Sequence, residues 1–113
     1  MADTLKRSNS NRLTSTTEVT LYTAGSGVTA TILSISLCNI HASTDVLFEL
    51  KIWDGAVDSD STEKYLYRDQ SLPSNATFIH NGKVTLKAGD SLVGALTASV
   101  DGVDTYISLL EQT

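Results

Sequence analysis

Cys38, His41, Asp45 and His80 carry the side chains of this sequence most suited to nucleophilic or metal chemistry, and the first three lie close together. A structural zinc site needs four ligands, typically Cys or His in paired spacing, so one cysteine and two histidines cannot close it without borrowed carboxylates. Cys38 therefore reads as a small apolar residue near a strand end, and His41 as a loop residue. Asp54, Asp58, Asp60 and Glu63 form a second cluster, rich in the oxygens that hard cations such as calcium prefer. Their spacing is not that of an EF-hand loop, and the segment reads as a solvated acidic loop. Hydrolysis by serine would need a nucleophile held against a histidine, and no G-x-S-x-G elbow is present; Gly25-Ser26-Gly27 reads as a turn. Asn75-Ala76-Thr77 matches a glycosylation triplet but has no secretion signal to give it meaning. No catalytic residue, metal site or cofactor is expected. Trp53, beside Asp54-Gly55, is the aromatic candidate for a partner contact. With Tyr65 and Tyr67 it would also make a stacking platform for sugar.

The elements that would position these residues are strands. Val19 and Leu21 alternate with Thr20 and Tyr22, the period of a half-buried strand. After the glycine turn, Leu33, Ile35 and Leu37 point to one side of a long strand over 28–39, and Ala30, Ile32, Ser34, Ser36 and Cys38 to the other. Val46–Trp53 alternates as a third strand, and Lys64–Arg68 as a short charged one suited to a sheet edge. Asn81-Gly82 predicts a type I′ hairpin between 76–80 and 83–86, and Asp101-Gly102 a second one between 92–100 and 103–109. About eight strands with closely spaced turns predict an all-β, single-domain antiparallel β-sandwich over 17–113. A jelly roll is the favoured form and an immunoglobulin-like sandwich the alternative.

Residues 1–16 lack either period and are rich in Ser, Thr and Asn, so they read as a flexible N-terminal arm. Fixing such a segment costs about 1–2 kcal/mol per residue, which the arm's own side chains cannot supply. The arm carries +2 and the remainder −7, within a formal charge of −5 for 113 residues, so arm and body attract each other between subunits. Leu5, Lys6, Arg7, Arg12 and Leu13 are its candidates for partner binding. The acidic balance opposes binding to nucleic acid. No apolar run is long enough for a membrane helix. A single cysteine and the absence of an apolar h-region predict assembly in a reducing cytoplasm.

Leu21-Tyr22-Thr23-Ala24, Val28-Thr29-Ala30-Thr31-Ile32, the Cys38-Asn39 strand end, the Leu86–Leu92 turn and Tyr106–Glu111 succeed one another in an order that resembles small all-β virion proteins of tailed bacteriophages. The resemblance spans most of 19–111 and leaves out the arm and the acidic loop. It implies a capsid decoration or cement protein, commonly a trimeric jelly roll on the outside of the head shell, whose partner is the major capsid protein. A neck or tail adaptor is the alternative within that class, and a carbohydrate-binding sandwich is the alternative outside it. In each case the implied function is binding without catalysis.

Overall fold

The computed structural model describes residues 3–7, 12–14, 16–54, 63–97 and 102–113. Among the described residues ten strands follow one another: β1 (Asp3–Arg7), β2 (Arg12–Leu13), β3 (Val19–Thr23), β4 (Thr29–Asn39), β5 (Val46–Trp53), β6 (Glu63–Leu72), β7 (Thr77–His80), β8 (Val84–Leu86), β9 (Ser91–Leu96) and β10 (Val103–Gln112). One antiparallel sheet, A, has the order β1-β10-β4-β7, with β2 also on β10 and β8 also on β4. The other, B, has the order β3-β9-β5-β6. Taking β1 with β2, and β7 with β8, as single interrupted strands gives two four-stranded sheets with jelly-roll order. The expected antiparallel sandwich is therefore the observed fold.

Three local expectations give way. The first concerns residues 3–7, which form a regular strand because β10 supplies a complete backbone ladder, from Asp3 opposite Gln112 to Arg7 opposite Ser108. All five side chains are exposed, so the sequence there carries no burial pattern to read. The second concerns Asn81-Gly82, which closes no hairpin. β7 and β8 both pair with β4, His80 opposite Ile35 and Val84 opposite Ile32, as two collinear pieces of one strand. Gly82 is not at positive φ. Its missing side chain is explained by the His80 ring, whose Cε1 and Nε2 would lie 3.1 Å from a Cβ at that position. The third concerns Asp101-Gly102, which cannot join a hairpin because β9 lies in sheet B and β10 in sheet A; Asp101 itself lies outside the described residues. Among consecutive described strands, only β5 and β6 pair with each other.

β4 shows why its alternation reads ambiguously. Ser108 faces Ser34 and Leu109 faces Ile32, so Leu33 is an extra residue in a bulge. The bulge switches the inward set from Ala30 and Ile32 to Ile35 and Leu37, all buried, and leaves Leu33 on the outer face. β6 is twice as long as expected and contains two register shifts, with Asp69 at φ 51°. It does lie at a sheet edge.

Leu13 is 0% exposed and closes the core. It reaches from β2 across to sheet B, into the space left open by Gly94, where a Cβ would stand 3.5 Å from Leu13 Cδ1 and 3.2 Å from Leu21 Cδ1. In the same row of sheet A, where Val103 stands between Leu13 and Asn39, Asn39 is also fully buried. Its amide nitrogen donates to Thr44 O at 2.8 Å and Leu72 O at 3.1 Å, and its oxygen accepts from His41 N at 3.0 Å. The carboxamide thus joins the end of β4 in sheet A to the end of β6 in sheet B.

Leu13→Ala should cost about 3 kcal/mol in denaturant unfolding, the usual range for a buried leucine, whereas a detachable arm would give no change. Asn39→Ala should cost about 3 kcal/mol in the same assay, because it strands two carbonyls that the amide satisfies.

Candidate interaction surfaces

Strand β1 and the outer face of sheet A bring several of the arm residues together. Asp3, Leu5 and Arg7 share the face of Ser108 and Leu110, their register partners or neighbours on β10, and this face points away from the core. Leu5 is 76% exposed, the most exposed large apolar side chain among the described residues. A shallow groove of about 340 Å³ runs beside it, lined by Leu5, Lys6, Arg7, Leu33, Tyr106 and Ser108 with Leu109. The groove follows from the β4 bulge, which turns Leu33 outward. Further along the face, Tyr106 and Ile79 flank Ser36, and both are about half exposed. Arg12 Nε donates to Asp104 Oδ1 at 2.6 Å across the β2–β10 ladder.

Lys6 turns the other way. Its Nζ lies 3.4 Å from both carboxylate oxygens of Glu111, which also accepts from Tyr22 OH at 2.5 Å. Burial first, and then the Glu111 carboxylate, hold the Tyr22 phenol well above its ordinary range. The cluster fastens β1 and β10 to β3. Leu13 stands apart from the arm surface: it belongs to this chain's own core, so the expectation of a partner contact there is replaced by a structural one.

Trp53 lies on the outer face of sheet B, remote in the sheet order from β1. Lys51 beside it is only 6% exposed and is ion-paired to Glu18 and to Glu63, the latter at 2.8 Å. Its ammonium lies 6.0 Å from the Trp53 ring centre and 5.4 Å from that of Tyr65. Burial alone would lower the lysine's pKa, but hydrogen bonds to Glu18 and then Glu63 outweigh it and hold it above the ordinary range. The Lys51 hydrogen bond in turn holds the Glu63 carboxyl below its ordinary value, against the opposing effect of burial. This clasp ties the start of β3 to β5 and β6, and a period-2 reading that places Lys51 on the polar face does not reveal it.

The three rings of the sugar-platform reading do not share a surface. Tyr65 is exposed, with Arg68 5.2 Å from its ring centre. Tyr67 turns inward, edge-on to Phe78 at 4.8 Å, and its hydroxyl lies 2.7 Å from His80 Nδ1. Both Leu66 and Tyr67 pack on the core because the β6 bulges break the alternation. Of the titratable clusters, Cys38 is on the outer face of sheet A, His41 is held in the loop by Asn39 and Asn75, and Asp45 accepts from Ser74 N at 2.9 Å. Asp58 and Asp60 lie outside the described residues; Asp54 is exposed and Glu63 is engaged by Lys51. Among the described residues no three of His, Cys, Asp and Glu come together as a metal site.

Because the Glu63 carboxyl is lowered on folding, its contribution to stability is present above its ordinary value of 4.5 and is lost as the pH falls through the folded value. Thermal melts of the wild type should fall on this acid limb, and Glu63→Gln should flatten that part of the profile while leaving the slope around neutral pH unchanged.

No protein-family model matches the chain, and no curated protein matches it. Among solved structures, it is similar to a chain of the acidic stable capsid structure of Helicobacter pylori bacteriophage KHP30, over 97% of this chain and 92% of that one, at 12% identity and a TM-score of 0.43.

Proposed function

We propose that the chain is a structural protein of a tailed-bacteriophage virion, a decoration or cement protein that binds the outside of the head shell and stabilises it. The observation that carries this reading is the outer face of sheet A, a broad surface of small polar side chains with exposed Leu5, Tyr106 and Ile79 and the basic Arg7 and Arg12. Such a face suits docking on a flat protein lattice better than enclosing a small substrate. The order of sequence elements over 19–111 that resembles phage virion proteins supports the same reading, and so does the jelly-roll strand order. Attachment at many equivalent lattice positions would add weak contacts through multivalency. It would stabilise the shell by mass action, because only the assembled lattice presents the site. In this reading the partner is the major capsid protein, the oligomer a symmetric trimer, and the protein resides on the capsid surface after assembly in the host cytoplasm.

Removing residues 1–16 would not isolate the contribution of the arm, since it strips β1, β2 and the core side chain Leu13 from the sandwich. Surface changes are the cleaner probe. Arg7→Glu and Tyr106→Ala should leave the melting curve of the free protein within a few degrees of wild type, yet reduce its retention on purified capsids about tenfold. Retention equal to wild type in both would remove this face from the account. Quantitative mass spectrometry of virions should find copies comparable to the major capsid protein. A ring's worth would indicate the neck or tail adaptor, and absence from particles would refute the virion reading.

A further inference from the structure

From the free edge of β1 we infer a second interaction surface, whose partner is β1 of a second copy of this chain, paired antiparallel about a twofold axis. The edges of the two sheets differ in how well they could accept another strand. On sheet B, the β3 ladder shifts register between Thr20 and Tyr22, and the β6 ladder shifts twice beside Lys64 and Arg68. On sheet A, the edge opposite β1 is broken between β7 and β8. Bulges and interruptions of this kind deny a neighbouring strand a continuous ladder. β1 runs in unbroken register for all five residues, and its other edge pairs with no described strand.

The side chains of β1 select one register. Centred on Leu5, twofold antiparallel pairing sets Asp3 opposite Arg7 of the second copy and Arg7 opposite its Asp3, on either side of a Leu5–Leu5 contact. All six side chains lie on the outer face. Thr4 then faces Lys6 of the second copy, and each Lys6 keeps its ion pair with Glu111 on its own chain. Moving the centre to Lys6 would set Lys6 opposite itself, and moving it to Thr4 would set Asp3 opposite leucine. Opposite charges directly across a ladder stabilise it and like charges destabilise it, so the sequence Asp3-Thr4-Leu5-Lys6-Arg7 complements itself in the first register alone. The contact is isologous, so it closes on itself and makes a pair without a fibre. It joins two outer faces of sheet A into one continuous surface. Leu5 and Arg7 also belong to the outer face, but the pairing does not rest on the virion reading, because it is argued from the unbroken β1 ladder and the order of its charges alone.

Sedimentation equilibrium of the full chain over a range of concentrations tests the pairing, and it needs no capsid. The wild type should associate reversibly. Asp3→Arg and Arg7→Asp should each weaken the association about tenfold, since either one turns both ion pairs of the twofold contact into repulsions. The double variant Asp3→Arg with Arg7→Asp should restore it, and that recovery also shows that β1 still docks on β10. Association untouched by the single reversals, failure of the double variant to recover, or a chain that stays monomeric up to about 1 mM would overturn the inference. The virion copy number is unaffected by any of these results, so the two proposals fail separately.

Discussion

A jelly roll sends most consecutive strands to opposite sheets, so something other than local hairpins must tie the layers at each end. Here the Asn39 carboxamide does so at one end. It is buried without water access and spends both donor hydrogens on carbonyls, those of Thr44 and Leu72, while its oxygen receives His41 N–H. A hydrocarbon side chain there would leave the buried Leu72 carbonyl unsatisfied, and aspartate would bring a charge without a donor for it. Asn39 N also donates to Ala76 O at 2.9 Å, so one residue fixes the β4 end, the 40–45 loop, the β6 end and the approach to β7. The orientation of sheet A against sheet B, and with it the outer face on which the proposed function rests, depends on this residue.

The remaining cross-links are of a different kind. Leu13 fills the hollow over Gly94 by shape, whereas the Glu18–Lys51–Glu63 clasp works by charge on the far side of sheet B. A buried ion cluster is a weak source of stability, because desolvation offsets much of the attraction. What it supplies is position, since Lys51 is satisfied only when the starts of β3 and β6 are both in place. Shape and charge thus hold opposite faces of one sheet.

Residues whose burial follows a simple period were legible from sequence. Val46, Phe48 and Leu50 on β5, and Val103, Ile107 and Leu109 on β10, fall inward as their alternation predicts. Alternation failed where the backbone adds a residue: the bulge at Leu33 reverses the phase of β4, and the shifts along β6 put Leu66 and Tyr67 on the same side. The strand at 3–7 was illegible for the opposite reason. Its ladder partner lies more than a hundred residues away, and its side chains, all exposed, carry no trace of the pairing. Asn81-Gly82 misled because a dipeptide that tolerates positive φ does not require it, and here the glycine answers to a histidine ring. Of the candidate surface, Leu5, Lys6, Arg7 and Arg12 were singled out by their types, but the groove beside them depends on Leu33 and Tyr106, which meet only through the β4–β10 register.

The pairing of β1 with β10 also sets the order in which the molecule can be completed. β1 is made before every other strand of the sandwich, and the strand it needs follows all of them in the chain. Throughout synthesis Leu13 therefore has no finished core to enter, and the flank of β4 that β10 will cover stays open. The last strand to emerge closes both gaps at once, docking between β4 and the waiting first strand. Assembly of the fold is thus gated by translation of its final segment, and a ribosome stalled before Val103 would hold a chain with every strand but the one that joins its beginning to its middle.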